Sequence, residues 1–320
     1  MPMKFKEDRT MKKYALILMA MAAVTACQLA EEDFNREEEP VIEEELQEEG
    51  LYTLTVEASK TIQTKALSLD NEGATLNAHW RTGETVAVYL GGTLLGTLTA
   101  TADGTDATKA TLSGSLTTVE GVAQDSELML LFPRAEWDYT GQDGSAPDEA
   151  GSLASKYDYA MATVTVATVD DNNKVITTTG GATFQNQESI YRFGFKNSST
   201  QDAISIKGFT VSSEMGGKFV QRRSWNGSDW EETYGPISVN VTSGTLGLSY
   251  VSLRNTKVDP SAGNDRYNFS VIGDDDALYI GFKTIPSSVL TEQGKFISAK
   301  SVSVRKARVE QSSNWASEVW

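Results

Sequence analysis

The chain has 320 residues and is acidic, with 44 Asp and Glu against 28 Lys and Arg and a formal net charge of −16. Phosphate binding needs a concentrated positive surface, so this balance argues against nucleic acid as a partner. The chain has one cysteine, Cys27, and one histidine, His79. An intrachain disulfide and a structural zinc site built from Cys and His are therefore excluded.

Residues 1–26 are predicted to be a signal peptide. Lys12 and Lys13 form a positive n-region, and Tyr14 to Ala26 form an apolar stretch of about a dozen residues, as such signals require. This stretch is too short for a helix that crosses a bilayer. The acidic pair in "MPMKFKEDRT" is unusual before such a signal, and we expect translation to start at Met11.

Cys27 ends the tetrad "VTAC", which resembles a bacterial lipobox. The resemblance implies cleavage before Cys27 and transfer of diacylglycerol to its thiol, with acyl chains such as palmitate burying in the membrane. Each buried methylene of such a chain contributes about 0.8 kcal/mol of membrane affinity. The alternative is a chance cysteine in a secretory signal. We predict a lipoprotein of the outer membrane that is exposed at the cell surface.

Residues 27–50 hold eleven acidic side chains and a single basic one, Arg36. A segment of this charge density forms a poor core, so it is predicted to be a solvated tether. Acid soon after a lipidated cysteine resembles the surface-export signal of outer-membrane lipoproteins in certain anaerobic Gram-negative bacteria. A plain charged spacer is the alternative.

From Leu51 onward, short runs with period-two alternation recur between Gly, Asn and Asp residues. "LYTLTVEAS" alternates in this way, and hairpins are predicted at Gly91-Gly92 and at Asp170 to Asn173. Only "PDEAGSLASKYDYAM" could form a helical turn or two. The pattern predicts an all-β chain with two β-sandwich domains, an N-terminal one over residues 51–185 and a C-terminal one over residues 186–320.

The order of several segments resembles one known family. A lipobox is followed by "LYTLTVEAS", by the polar loop "TIQTKALS" and by "ATLNAHWRTGETVAVY". "GATFQNQESIYRFGF" and "GFTVSSEMGGKFV" come later and resemble the family's second domain. The block around the first tryptophan matches the family pattern W-x-x-G-[DE]-x-[IV]-x-V/I-Y through Trp80, Gly83, Glu84, Val86, Val88 and Tyr89. Together these features resemble the fimbrillin family, the Mfa-like subunits and accessory lipoproteins of type V pili.

The resemblance implies two tandem transthyretin-like β-sandwich domains and assembly with other fimbrial subunits by donor-strand exchange. In the family, a trypsin-like protease removes the first strand and a neighbour's terminal strand fills the groove, which is a form of β-augmentation. "LYTLTVEAS" would be the removable strand. The chain departs from the pattern, because the loop has Lys60 and Lys65 but no Arg before Arg81. It is therefore either processed at Lys60, Lys65 or Arg81, or an uncleaved anchor-like or accessory subunit.

The C-terminal segment "KSVSVRKARVEQSSNWASEVW" leaves two interpretations open. It is either the final strand of a sheet with a frayed apolar tail, or a donor strand for the next subunit.

No catalytic constellation stands out, and we predict that the protein is not an enzyme and needs no cofactor. His79 has no second His or Cys for a nucleophilic triad. "GDDDA" and "VDDNNK" lack the ligand spacing of a calcium loop, and turns rich in Asp and Asn explain both, so no metal site is predicted.

The loop "RRSWNGSDWEETYG" supports a rival function. Asn226-Gly227 is a strong hairpin signal, and Trp225, Trp230 and Tyr234 flank it. Such aromatics could contact a host glycan or protein, which would make the chain a monomeric surface adhesin. Cross-strand pairs that stabilise the hairpin are the alternative explanation.

Overall fold

The described residues of this protein, seen here in a computed structural model, form twenty strands. The structure describes residues 51–60, 68–69, 76–77, 79–117, 119–147, 153, 156–214, 219–241, 248–255, 263–287 and 293–308. These residues belong to one unit, Glu48–Trp320. The predicted signal peptide, Cys27 and the acidic tether lie outside them. The all-β prediction is confirmed for the described residues.

The first sheet has eight strands in the order β10-β1-β11-β9-β7-β4-β5-β6. Its last strand pairs back onto β1, so the sheet closes on itself. Closure leaves few unpaired edges around the apolar core that the strands enclose. The strands are β1 (Tyr52–Lys60), β4 (Thr85–Leu90), β5 (Thr93–Ala102), β6 (Lys109–Leu116), β7 (Glu127–Phe132), β9 (Ala160–Asp170), β10 (Val175–Thr178) and β11 (Ala182–Asn186).

The second sheet has seven strands in the order β16-β13-β18-β19-β20-β12-β17. Its inner face carries an aromatic core that includes Phe193, Phe209, Tyr267 and Phe269. β12 and β20 run parallel, and the other pairs are antiparallel. The strands are β12 (Ser189–Asn197), β13 (Ile206–Ser213), β16 (Ile237–Asn240), β17 (Ser249–Leu253), β18 (Asp265–Gly273), β19 (Leu278–Ile285) and β20 (Phe296–Lys306).

A third sheet joins strands from both halves of the chain. β8 (Glu136–Asp138) pairs with β14 (Phe219–Trp225), which also pairs with β15 (Trp230–Gly235). A two-stranded ribbon is formed by β2 (Ser68–Leu69) and β3 (Leu76–Asn77). The first sheet thus ends at Asn186 and the second begins at Ser189, around the predicted boundary, while β8 crosses it. The division into two domains stays a prediction.

Turn chemistry sets the hairpins where the sequence predicts them. Gly91 and Gly92 link β4 to β5, and Gly91 takes a φ of 54°, which suits a residue without a Cβ. The turn between β9 and β10 is closed by Asp170, whose carboxylate accepts hydrogen bonds from two backbone N–H groups. A helical hydrogen bond of 3.0 Å joins Tyr157 N–H to Leu153 O, within the one segment predicted to form a helical turn. Among the described residues, no helix is long and apolar enough to cross a membrane.

Candidate functional site: the slot of strand β1

Strand β1 is paired along both of its sides. Its Tyr52–Ser59 stretch pairs antiparallel with β6 over eight residue pairs. On the other side it pairs in parallel, first with β10 and then with β11. We call the space that β1 fills between β6 and the β10–β11 flank the β1 slot. Because β6 on one flank and β10 and β11 on the other each use one side to pair with β1, its removal would leave two unpaired strand edges.

The inner face of β1 fills a row of core positions. The alternation predicted from "LYTLTVEAS" is seen in the burial of every second side chain. Burial of a Leu or Val side chain contributes roughly 1.5 to 3 kcal/mol, so an empty slot would be costly in water. The inward side chains are Tyr52, Leu54, Val56, Ala58 and Lys60.

Tyr52 holds the first end of the strand. Its hydroxyl donates a hydrogen bond to the Asp171 carboxylate in the β9–β10 turn. Lys174 lies in the same turn, with Nζ 4.8 Å from the centre of the Tyr52 ring. The backbone N–H of Thr53 donates to Lys174 O at 2.8 Å. The turn that the sequence predicted thus also anchors β1.

Lys60 holds the other end, and its side chain is only 1% exposed. Its Nζ donates to the backbone oxygen of His79 at 2.7 Å and lies 3.3 Å from Glu84 Oε2. The same Nζ lies 3.8 Å from the centre of the Trp80 ring. A buried ammonium needs such an arrangement of a counter-charge, a hydrogen-bond acceptor and an aromatic face to offset its lost hydration.

Two further aromatic rings complete this site. The Phe132 ring centre is 5.5 Å from Lys60 Nζ, and Phe184 pairs with Lys60 in the β1–β11 register. Both rings meet Trp80 edge-on, with centres 5.8 and 5.2 Å apart. We call this site the lysine cage; it consists of Trp80, Glu84, Phe132, Phe184 and the carbonyl of His79.

The three predicted processing residues fall in different places. Lys60 is buried in the cage, and its backbone N–H donates to Thr108 O at 3.0 Å, so a protease could reach it only after the end of β1 unpairs. Arg81 is half-buried, and its N–H donates to Glu84 Oε2 at 3.1 Å. Lys65 lies outside the described residues. Processing at these positions stays a prediction.

The aromatic residues predicted as ligand contacts lie on the β14–β15 hairpin. Trp225 and Trp230 are half-buried cross-strand neighbours. Trp225 Nε1 donates to Gly91 O at 2.8 Å, and the Trp230 ring lies 4.5 Å from the buried Trp137 ring. Both indoles thus hold the hairpin against the first half of the chain. Tyr234 is 44% exposed, and its hydroxyl donates to Glu232. Ligand binding by these residues stays a prediction.

Several buried charged side chains lie where the first and second halves of the chain meet, and no sequence pattern predicted them. Glu188 and Asp158 are both buried. Burial, and then the neighbouring Asp158, raise the pKa of Glu188 well above its usual range. Glu188 also accepts hydrogen bonds from Tyr159 N–H at 2.8 Å and from the Tyr139 hydroxyl at 3.3 Å. Burial, and then Arg254, lower the pKa of Arg223 to about 10.

The carboxylates of Asp106, Asp170 and Asp275 stabilise turns, because each accepts hydrogen bonds from its own loop. Within the described ranges, no group of three or more His, Cys, Asp and Glu side chains could hold a metal ion.

No protein-family model and no curated protein matches the chain. Similar solved structures include a proposed cell adhesion protein from Bacteroides uniformis, with 14% identity, a TM-score of 0.41, and coverage of 80% of this chain and 96% of that one. A proposed adhesin from Bacteroides ovatus has 10% identity, a TM-score of 0.41 and coverages of 82% and 96%. The shaft pilin SpaA from Lactobacillus rhamnosus GG has 10% identity, a TM-score of 0.31 and coverages of 81% and 99%.

Proposed function

We propose that the protein is a structural or accessory subunit of cell-surface fimbriae, anchored in the outer membrane by lipid on Cys27. It would join neighbouring subunits by β-strand exchange and support adhesion. The observation that carries this proposal is the β1 slot, a strand position with two paired flanks and an apolar inner face. A slot of this kind is the receiving half of β-augmentation.

The energetics favour refilling of the slot once β1 leaves. Vacating it would expose the unpaired backbone of β6 and β11 together with the core positions of Leu54 and Val56. A donor strand with alternating apolar side chains would restore both the hydrogen bonds and the burial. The β1 strand lies directly before "TIQTKALS", residues 61–68, the predicted polar loop, so a cut there would separate the strand from the body.

Limited digestion of the folded full-length protein with a trypsin-like protease tests the proposal. We expect loss of β1, in a mixture with the other fimbrial subunits, to be followed by multimers that resist mild detergent and run as a ladder on an unheated gel. A protein that loses β1 and stays monomeric in that mixture would contradict strand exchange.

A matched control can lock β1 in place. Thr55 and Ser113 face each other across the β1–β6 pair, with their hydroxyl oxygens 3.1 Å apart, so Thr55→Cys with Ser113→Cys should form a disulfide. The variant carries Cys27→Ser so that these are its only thiols. We expect no ladder from the oxidised protein and a normal ladder after reduction. The single variant Thr55→Cys should assemble under both conditions.

The anchor has an independent test. Cells that express the full chain are labelled with palmitate, and whole cells are then treated with a protease that does not cross the outer membrane. We expect the chain to carry label, the Cys27→Ser variant to carry none, and the labelled protein to be degraded from outside. A labelled protein that is protected in whole cells would contradict surface exposure.

A further inference from the structure

We infer that the lysine cage is a binding pocket for a basic side chain, and that a strand entering the β1 slot needs Lys or Arg at the position of Lys60. The inference rests on the proposed strand exchange and adds the chemistry by which the slot selects its donor. The other inward positions of the slot accept any apolar or aromatic side chain of suitable size, which many strands supply; they are the positions of Tyr52, Leu54, Val56 and Ala58. Of the five inward positions, only that of Lys60 requires a charged side chain.

The residues that surround the Lys60 ammonium come from outside β1. Trp80 and Glu84 precede β4, Phe132 lies on β7 and Phe184 lies on β11. Glu84 is held by the hydrogen bond from Arg81 N–H at 3.1 Å. The His79 carbonyl is next in the chain to Trp80, whose backbone N–H donates to Ala107 O at 2.7 Å. Without Lys60, the carboxylate and the carbonyl would both lose the ammonium that contacts them.

An apolar side chain at the Lys60 position would therefore fill the volume of the cage but make none of its polar contacts. It would leave the Glu84 charge and the His79 oxygen without the ammonium that both contact. An acidic side chain would add repulsion from Glu84 at close range. Lys and Arg satisfy the carboxylate, the carbonyl and the ring face together, and the guanidinium of Arg stacks well on an indole.

The cage also bears on whether a second copy of this chain can be the donor. The C-terminal segment carries its basic residues in β20 and directly after it, up to Arg308, and its last twelve residues, "VEQSSNWASEVW", contain no Lys or Arg. Neither of its two alternating sets offers three consecutive apolar side chains such as Leu54, Val56 and Ala58. This segment of a second copy is thus a poor occupant, and the structure points to a donor strand from a different chain that carries a run of alternating apolar residues and a basic residue at the end.

The test uses the full chain with a specific protease site inserted after Lys60, folded and then nicked. Fluorescent peptides of the sequence 51–60 are added, and their exchange into the slot is followed by anisotropy. We expect the Lys60 peptide and its Lys60→Arg form to bind comparably. The Lys60→Met peptide should bind roughly tenfold more weakly or worse, and the Lys60→Glu peptide and a 309–320 peptide should not compete.

A receptor variant separates recognition of charge from filling of space. Glu84→Gln keeps the shape of the cage and removes its charge. We expect it to weaken the Lys60 peptide while leaving the Lys60→Met peptide unchanged, a coupling that a purely steric role would not produce. Equal affinities of the Lys60 and Lys60→Met peptides would overturn the inference and leave strand exchange standing. Failure of the Lys60 peptide itself to enter the slot would overturn the proposed exchange, and the inference with it.

Discussion

The side-chain amide of Gln142 binds the backbone of Ser252 as a neighbouring strand would. Gln142 Nε2 donates to Ser252 O at 2.8 Å, and Ser252 N–H donates to Gln142 Oε1 at 2.7 Å. The Gln142 backbone meanwhile accepts a hydrogen bond from Asn240 N–H at 2.9 Å. One residue of the first half thus contacts β16 and β17, the two edge strands of the second sheet, so the halves share hydrogen bonds as well as apolar contacts.

Replacement of Gln142 should weaken this junction. Gln142→Leu leaves the buried N–H and C=O of Ser252 unpaired, and we expect a loss of about 2 to 4 kcal/mol in the free energy of unfolding, measured in urea. Gln185 is exposed on β11, and Gln185→Leu serves as the matched control, expected within about 0.5 kcal/mol of the parent. Equal effects of the two changes would show that the Gln142 bonds add nothing to stability.

Gly227 is predicted to be essential for docking of the β14–β15 hairpin. It takes a φ of +105°, and a Cβ at this position would lie 2.2 Å from Gly92 Cα in the opposing turn. Gly227→Ala should therefore cost more than the roughly 1 to 2 kcal/mol expected for the backbone alone. It should also shift tryptophan fluorescence, because Trp225 and Trp230 would be displaced.

Gly180 provides the control for that experiment. It takes a similar φ of +86°, but a Cβ added there would have no neighbouring atom within 4 Å, so Gly180→Ala measures backbone strain without the clash. If the two variants lose the same stability by urea unfolding, the contact between the two turns is not a constraint.

Glu188 should make stability depend on pH. Its pKa is raised in the folded protein, so the native state keeps a proton that the unfolded state releases. Stability is therefore expected to fall as pH rises above the ordinary range of a glutamic acid, near 4.5. Of the charged groups that face it, Asp158 raises the pKa of Glu188 further and Arg254 lowers it.

Glu188→Gln removes that titration while keeping an oxygen for the Tyr159 N–H. We expect the variant to lose less stability than the parent between about pH 5 and 8, with the two curves converging near pH 4. Urea unfolding at each pH measures this. Parallel curves across the range would show that Glu188 is ionised in the folded protein.

Lys60 should contribute to stability in the uncut chain. Lys60→Met leaves Glu84 and the His79 carbonyl without their ammonium, and we expect a loss of about 2 kcal/mol, with Lys60→Arg closer to the parent. Lys109→Met is the control, since its ion pair with Asp106 is exposed and should contribute much less to stability. Thermal or urea unfolding distinguishes them. A Lys60→Met protein as stable as the parent would show that the cage does not hold β1.

Local patterns predicted much of the fold. The alternation of "LYTLTVEAS" located β1 and its inner face, and the glycine pair at 91–92 located a hairpin, because period-two burial and positive φ are properties of a few adjacent residues. The aromatic residues around Asn226-Gly227 were also found from sequence. Their contact with the Gly91-Gly92 turn could not be predicted, because it depends on where the β4–β5 hairpin lies in the fold.

The all-β class, the strand at Tyr52–Lys60 and the turns follow from the amino-acid sequence, because they depend on side-chain alternation and backbone preference along the chain. Three features arise only when distant segments come together: β1 is flanked on both sides, Lys60 is buried, and Gln142 bridges two edge strands. From the sequence alone, Lys60 would be expected at the surface. Its partners become neighbours only when several strands meet, and they lie at positions 79, 80, 84, 132 and 184. Burial of the ammonium without these partners would cost too much free energy.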